Sequence, residues 1–201
     1  FDQTLARLRA ITLPALLAQT EPDFRAVILA DEGLGAPWRD RIEALARDHD
    51  QIAVHFFSPV AAPSAAAGAL LAHSDAGAEA VIRFHLGAGE AVSRHHVARL
   101  RRDFRSLRMV WRGADRLMAL SYPRGLVLAG AEQGAEGAVQ PRLDPGVQAG
   151  LAMVTVPGDR RCLADHVPRL IWRSMTTVTL AAEVGWLAPG SGRGPSASNR
   201  A

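Results

Sequence analysis

The sequence predicts an α/β fold, in which a Rossmann-like three-layer arrangement is followed by a mixed β extension in the second half of the chain. Three observations support this prediction. Helix-like and strand-like segments alternate over the first half, the links between them are short, and the strand-like segments are continuous apolar runs. Such runs are typical of parallel strands that are covered by helices on both faces. We expect a single domain over residues 1–187.

The first half of the chain supplies the alternating elements. Leu and Ile side chains recur at helical spacing over residues 4–18, where Pro14 is expected to kink or divide the helix. Short apolar runs predict strands, and one-sided apolar patterns predict the helices between them. In chain order these elements are a strand at 25–31, a helix at 37–48, a strand at 51–57, a helix at 63–73, a strand at 81–86 and a helix at 93–106.

The second half changes character after that helix. Short β-like pieces separated by Gly and Pro are RLMALSYPRGLVLAG, GAVQPRLD and GLAMVTV. This pattern favours a mixed or antiparallel extension over another strand–helix–strand unit. The final stretch, APGSGRGPSASNRA (188–201), contains almost nothing to bury, so we expect a flexible tail there.

Composition excludes several broad classes of protein. Hydrophobic residues make up 48% and charged residues 21%, a balance that predicts a folded chain rather than a disordered one. No apolar run approaches the roughly eighteen residues that a membrane span needs. Cys162 is the single cysteine, so no intrachain disulfide can form, and we expect a cytoplasmic protein. The formal charge of +3 is too small to indicate nucleic-acid binding by itself.

The stretch VIRFHLGAGEAVSRHHVARLRR (81–102) reads as a strand, a glycine-bearing turn and an Arg-rich helix. Open α/β sheets bind ligands at the carboxyl ends of their strands, so this turn has the position of a functional site. Gly87 and Gly89 allow a ligand to approach the backbone, and amides at the start of the following helix can receive a phosphate. A tight strand-to-helix turn also requires glycine for steric reasons alone, so both interpretations stay open.

Metal-ligating residue types occur near this turn, but their spacing is poor for a metal site. The candidates are His85, Glu90, His95 and His96. The two adjacent histidines point about 100° apart on a helix, and no second carboxylate converges with Glu90. No side-chain metal site is therefore predicted.

The helix after the turn is predicted to bury one face and to expose a basic one. Its apolar stripe is Val97, Leu100, Phe104 and Leu107, and the arginines placed elsewhere are Arg94, Arg99, Arg101, Arg102, Arg105 and Arg108. A basic helix can hold phosphates, which makes a polyanion-binding protein one alternative. No aromatic residues are interleaved to stack bases, so nucleic acid is not an expected partner.

Several stretches together resemble the bacterial rhamnosyltransferase family, whose members are glycosyltransferases with a GT-A-like, Rossmann-type fold. The similar stretches are TLPALLAQTEPDFRAVILAD (12–31), APWRDRIEALA (36–46), RFHLGAGEAVSRHHVARLRR (83–102), YPRGL (122–126) and MTTVTLAAEVGWL (175–187). The likeness covers most of the chain. It begins after the strand that comes first in the family.

The resemblance implies a metal site whose ligands this sequence lacks. In the family, a run of aspartates after the third strand binds a divalent cation that bridges the diphosphate of the sugar donor. Here that run is Gly87-Ala88-Gly89-Glu90, and Ser196-Ala197-Ser198-Asn199 stands where such enzymes often carry a histidine motif that completes the metal shell. We expect Glu90, with water ligands, to hold Mg²⁺ or Mn²⁺ only weakly, through donor phosphates.

The resemblance also implies partners and roles. The partners are a nucleotide-sugar donor and a glycan acceptor, and Glu90 is the candidate catalytic residue. The candidate nucleotide-binding or phosphate-binding residues are Asp31, Arg83, Gly87, Gly89 and Arg94. Arginines can stabilise a leaving phosphate in place of a metal ion. The alternative is a glycosyltransferase-like protein that has lost catalysis and serves in binding or assembly.

Overall fold

The computed structural model describes residues 1–58, 62–113, 115–129 and 138–190. Helices α1 to α5 span Asp2–Arg7, Leu13–Leu17, Ala36–Ala46, Ala62–Ala72 and His96–Gly113, and short 3₁₀ helices span Leu163–Asp165 and Pro168–Arg173. Strands β1 to β10 span Ala26–Asp31, Ile52–Phe57, Val81–Phe84, Ala91–Val92, Met118–Ser121, Arg124–Ala129, Ala138–Leu143, Leu151–Thr155, Thr176–Thr179 and Trp186–Pro189. The α/β class is therefore confirmed.

The strands form three open sheets rather than one. β1 pairs with β2 in parallel, the second sheet has the order β3-β8-β5-β9, and the third has the order β4-β10-β6-β7. In the second sheet, β8 runs antiparallel to both β3 and β5, while β5 and β9 are parallel. The prediction of mostly parallel pairing among the first three strands is wrong for β3. It pairs instead, in antiparallel orientation, with β8 from the second half of the chain.

The mixed character predicted for the second half is confirmed. β6 and β7 form an antiparallel pair, whereas β6 and β10 are parallel. β10 continues to Pro189, two residues into the segment predicted as a tail. Gly190 follows, and its amide donates to the Leu128 carbonyl at 2.8 Å, whereas residues 191–201 of the predicted tail lie outside the described residues.

The first helical segment runs past Pro14 without a break. α1 and α2 are joined by a π-helical turn over Leu8–Thr12, and the backbone dihedrals at the junctions stay helical. A proline removes one backbone donor and crowds the carbonyl of the preceding turn. The wider π turn ends at Thr12, two residues before Pro14, and such turns occur frequently at functional sites. The expected kink is thus replaced by a local widening of the helix.

The tightest core lies around the second sheet. Leu120 of β5, Val154 of β8 and Trp111 of α5 are completely buried and belong to one hydrophobic cluster. Phe104 contacts Trp111 edge-on, with 5.3 Å between ring centroids. α5 is longer than predicted because this last turn carries Trp111 into the core. Within the described residues, no helix combines the length and the apolarity needed to cross a membrane.

Candidate functional site

The turn after β3 is held by its own hydrogen bonds. The Glu90 amide donates to the Gly87 carbonyl at 2.9 Å, and the Glu90 carboxylate accepts the Gly87 amide at 2.6 Å. Glu90 therefore points one carboxylate oxygen back into the turn. Gly89 has a φ of 94°, a left-handed conformation that favours glycine, and a Cβ there would approach the Arg7 side chain to 3.2 Å. The steric interpretation is sufficient for Gly89.

A buried threonine clamps this turn to the π-helical segment. Thr12, which is 3% exposed, accepts the Gly89 amide at 2.9 Å and donates to the Gly87 carbonyl at 3.3 Å. One hydroxyl thus satisfies a donor and an acceptor of the turn at once. Sequence inspection missed Thr12, because it counted as one polar position inside an apolar helical pattern. The π turn places it, and no local sequence signal predicts such a turn.

A second clamp fixes the start of α5. The Gln19 side chain donates to the Ser93 carbonyl at 2.9 Å and accepts the Val97 amide at 3.0 Å. The His96 amide donates to the Ser93 carbonyl, also at 2.9 Å. These amides were candidates for phosphate binding, and their hydrogen bonds are already satisfied within the protein. In the turn itself, the amide of Ala88 makes no hydrogen bond with any described residue.

The residues of the turn do not fit a cage for a divalent cation. Mg²⁺ and Mn²⁺ take several hard oxygen ligands, and the turn offers one carboxylate, already bonded to Gly87. Across the described part of the chain, no three His, Cys, Asp or Glu side chains are grouped so that they could hold a metal ion. Any cation bound here would depend on water and donor phosphates for most of its ligands.

The other candidate residues occupy different environments. Arg94 is exposed, and its guanidinium makes no hydrogen bond or ion pair within the described residues, while its carbonyl accepts the Thr20 amide at 2.9 Å. Arg83 is 5% exposed and donates through Nη1 to the carbonyls of Asp159 and Arg161, at 2.8 and 3.0 Å. Burial lowers the pKa of Arg83. The guanidinium of Arg94 is therefore available to a ligand, whereas that of Arg83 is hydrogen-bonded to the loop that contains Asp159 and Arg161.

Asp31 ends β1 and caps the turn that follows. Its exposed carboxylate accepts the Gly33 amide at 2.7 Å, which is the geometry of an Asx turn. A cavity of about 900 Å³ joins Asp31 to the turn after β3, because Asp31, Arg83 and Ala88 all line it. The remaining candidates, Gly87, Gly89, Glu90 and Arg94, lie outside its wall. A smaller space of about 390 Å³ lies at the opposite ends of β1 and β2, away from this site.

The large cavity lies against strand edges. Its wall includes every residue of β1 and every residue of β3. A space over one face of a strand would touch alternate residues only, so this one faces the edges of both strands. The cavity is partly open to the protein surface, so solvent can enter it.

A buried histidine lies beneath the first turn of α5. His96 is 1% exposed and packs edge-on against Phe84 and Tyr122, with ring centroids 4.9 and 5.7 Å away. Burial, and secondarily the positive charge of Arg99, lower the pKa of His96 to about 4. The imidazole is therefore neutral near pH 7. Its neighbour His95 is exposed and contacts Thr20, so the two histidines do not converge.

Arg99 belongs to the same buried cluster, and its predicted place on the exposed face is wrong. It is 5% exposed, its guanidinium lies 4.3 Å from the Tyr122 ring centroid, and it approaches Asp103 to 3.7 Å. The Tyr122 hydroxyl donates to Asp103 at 3.0 Å, and burial, then Asp103, raise the pKa of Tyr122. The spacing of Arg99 and Asp103, four residues apart, was the sequence signal that could have indicated this pair.

Comparison with known protein families gives a match over almost the whole chain. A family model described as "Putative rhamnosyl transferase" matches residues 1–200. No curated protein matches the chain. The matched range includes the turn after β3, both clamping residues and the whole wall of the large cavity.

Proposed function

The chain belongs to the rhamnosyl transferase family, since that family's model matches residues 1–200, and we propose that it transfers a sugar from a nucleotide-sugar donor to a glycan acceptor. We further propose a GT-A-like arrangement in which the donor diphosphate lies near the turn after β3, without a side-chain cage for a divalent cation. The observation that carries this second proposal is the single carboxylate of the turn, bonded inward to Gly87.

The reaction requires one bond to form and one to break. An acceptor oxygen bonds to the anomeric carbon as the bond from that carbon to the diphosphate oxygen breaks, and the electron pair leaves with the nucleoside diphosphate. The proton of the acceptor hydroxyl must pass to a base. We propose Glu90 for this role. Its second oxygen, Oε1, makes no hydrogen bond within the described residues.

The negative charge that builds up on the leaving diphosphate needs compensation. We propose that Arg94 and the Ala88 amide provide it, because both lack a partner within the described residues and both flank the turn. Positive charge and backbone donors can stabilise such a group without a metal ion. Arg83 is the weaker candidate, because its guanidinium is buried against the carbonyls of Asp159 and Arg161.

The test combines turnover with one matched pair of variants. Release of nucleoside diphosphate is measured for a panel of nucleotide sugars with oligosaccharide acceptors. Arg94→Ala is expected to weaken nucleoside diphosphate binding about tenfold, the size typical of one charge-assisted contact. Arg160→Ala is the control, since Arg160 is also exposed and unpaired in the described part but lies in another loop. Failure of every donor to bind, or equal losses in both variants, would refute the proposal.

One observation favours a second candidate, a glycosyltransferase-like binding protein without catalysis. Glu90 and Arg83 both serve the packing of the fold, since each bonds to backbone groups nearby. A protein that keeps these contacts can bind a nucleotide and still lack turnover. Nucleotide-dependent thermal stabilisation without product release would identify this candidate.

The polyanion alternative receives no support from α5. Arg101 pairs with Glu21 and Asp23, and Arg102 pairs with Asp103. Further along the helix, Arg108 and Arg112 both contact the Glu79 carboxylate, and together they lower its pKa. Local carboxylates therefore balance most of the arginine charge that sequence inspection assigned to a free basic face.

A further inference from the structure

The 3₁₀ helix over Pro168–Arg173 turns apolar side chains towards solvent. Side chains three positions apart lie on the same side of such a helix, so the helix has three sides. One side is buried through Ile171, which belongs to a hydrophobic cluster of the second sheet. The other two sides carry Leu170, 41% exposed, and Trp172, 62% exposed, while Val167, just before the helix, is 61% exposed. Single exposed apolar side chains are common, but three within a short segment form a patch.

Arginines alternate with these apolar residues. Arg169 lies on the same side of the helix as Trp172, and Arg173 lies on the same side as Leu170. Both arginines are exposed, and the Arg173 guanidinium lies 5.2 Å from the centroid of the Trp172 ring. Each exposed side of the helix therefore presents an apolar side chain together with a cation.

The patch extends to the end of β7. Arg169 lies 3.6 Å from the Asp144 carboxylate, and the neighbour of that aspartate, Leu143, is 67% exposed. The Arg169 side chain stays 73% exposed in this ion pair, and exposed ion pairs are weak. Arg169 can therefore still bind a second anion. The members of the patch are Leu143, Val167, Arg169, Leu170, Trp172 and Arg173.

The charge around the patch is positive. Residues 160–174 contain four arginines and one acidic residue. Two further carboxylates, those of Asp144 and Asp159, pair with arginines of this segment. Four arginines thus face three carboxylates, an excess of one positive charge. Arg173 makes no ion pair within the described residues, so its charge is available to an external anion.

This combination favours one class of partner. Two copies of the chain that met through this patch would set arginines against arginines, which disfavours self-association. The surface of an anionic membrane accepts both kinds of side chain, because apolar groups enter the boundary of the acyl chains while arginines stay with the head groups. Tryptophan is enriched at that boundary, since its ring is apolar and its N–H is polar.

We propose that the patch binds the surface of a membrane that contains anionic lipids. Trp172 and Leu170 enter the boundary between head groups and acyl chains, and Arg169 and Arg173 contact lipid phosphates. The association is peripheral and reversible, because only a few apolar side chains enter the membrane.

The patch lies near the candidate site. The Asp144 amide donates at 2.8 Å to the carbonyl of Pro123, which follows the carboxyl end of β5. β5 and β3 both run antiparallel to β8, which lies between them, so their carboxyl ends lie at the same end of the second sheet, roughly 10 Å apart. Membrane binding therefore brings the turn after β3 close to the bilayer surface.

The test measures co-sedimentation of the full chain with vesicles of phosphatidylcholine, with and without phosphatidylglycerol. The chain is expected to bind at least fivefold more tightly to vesicles that contain phosphatidylglycerol, and high salt should remove this difference. Leu170→Ser combined with Trp172→Ser is expected to weaken that binding at least tenfold. The matched control is Met109→Ser combined with Val110→Ser, because these apolar residues are also exposed but lie on α5, on the other face of the second sheet.

The contribution of charge is tested separately. Arg173→Gln is expected to weaken binding to vesicles with phosphatidylglycerol about fivefold and to leave binding to phosphatidylcholine alone unchanged. Arg47→Gln is its control, since Arg47 is exposed on α3 and makes no ion pair within the described residues. Thermal unfolding should be the same for all these variants, because every substituted side chain is exposed.

A quenching measurement locates the contact. Lipids with brominated acyl chains are expected to quench the tryptophan fluorescence of the vesicle-bound wild type, and Trp172→Phe should bind within threefold of the wild type but lose most of the quenching. Failure to bind vesicles, equal binding to both kinds of vesicle, equal losses in the patch variants and their controls, or unchanged quenching in Trp172→Phe would each overturn the proposal. No nucleotide or acceptor is used, so such a result would leave the proposed sugar transfer untouched.

Discussion

Two sheets built from similarly apolar strands are packed very differently. Every residue of β5 and of β8 is buried, whereas β1 buries only Ala30 and β2 buries only Ile52. β5 and β8 each have a strand partner on both edges, and β1 has a partner on one. An apolar run therefore predicts that a strand forms, but its burial depends on the neighbours that the rest of the chain supplies.

The sharpest way to test this contrast uses one leucine from each sheet. Leu120→Ala in β5 is expected to lower the free energy of unfolding by about 2–5 kcal/mol, because Leu120 is fully buried. Leu29→Ala in β1 is expected to cost about 1 kcal/mol or less, since Leu29 borders a cavity that already exists. Urea unfolding measures both values. Equal losses would show that the two sheets are packed alike.

The buried cluster beneath α5 predicts an acid sensitivity that belongs to the packed region. The pKa of His96 is about 4 in the fold and about 6.5 in an unfolded chain, so the folded state favours the neutral ring. The stabilisation of the folded state by the neutral His96 ring is complete above about pH 6.5. It is lost as the pH falls towards 4, which lowers the free energy of unfolding by roughly 3 kcal/mol in total. The measurement is unfolding free energy against pH for the wild type and for His96→Gln.

His95→Gln is the matched control for that titration, because His95 is exposed and adjacent. The difference in unfolding free energy between the wild type and His96→Gln should narrow as the pH falls through this range. The corresponding difference between the wild type and His95→Gln should stay constant. Identical pH profiles for the wild type and His96→Gln would rule out a buried neutral His96.

The hydrogen bonds between Thr12 and the turn after β3 give the smallest expected effect on stability. Thr12→Val keeps the shape of the side chain but leaves the Gly89 amide without its acceptor, at a cost of about 1–3 kcal/mol. Thr20→Val, at an exposed threonine that contacts Arg94 and His95, should cost less than about 0.5 kcal/mol. Thermal unfolding distinguishes the two. Similar costs would mean that Thr12 does not clamp the turn.

Much of the fold could be predicted from sequence because its elements are marked locally. The predicted strand at 25–31 and the predicted helix at 37–48 differ from β1 and α3 by no more than two residues at either end. Pairing was less predictable, since β3 bonds to β8, about seventy positions away. The run Val81 to Leu86 carries no signal that selects this partner over β1. Long-range pairing depends on packing, which a local pattern does not encode.

The position of the turn after β3 was predictable, but its contacts were not. The turn Gly87–Glu90 lies at the carboxyl end of β3, as expected, and Arg94 is exposed beside it. The inward bond of the Glu90 carboxylate and the burial of Arg83 depend on contacts that spacing cannot reveal. Thr12 was missed for the same reason, because its role arises from a π turn that brings it to a segment about seventy-five residues later. The roles in catalysis and nucleotide binding stay predictions.

The central claim is that the turn after β3 lacks a set of side-chain ligands for a divalent cation. Its most direct test is calorimetric titration of the wild-type chain with nucleoside diphosphates, once in excess Mn²⁺ and once in EDTA. With one carboxylate in the turn, already bonded to Gly87, we expect the two dissociation constants to agree within about threefold, a difference of less than about 0.7 kcal/mol. Glu90→Gln should leave that ratio unchanged. A tenfold or greater tightening by Mn²⁺ that disappears in Glu90→Gln would contradict the account, because it would reveal a functional cation site at this turn.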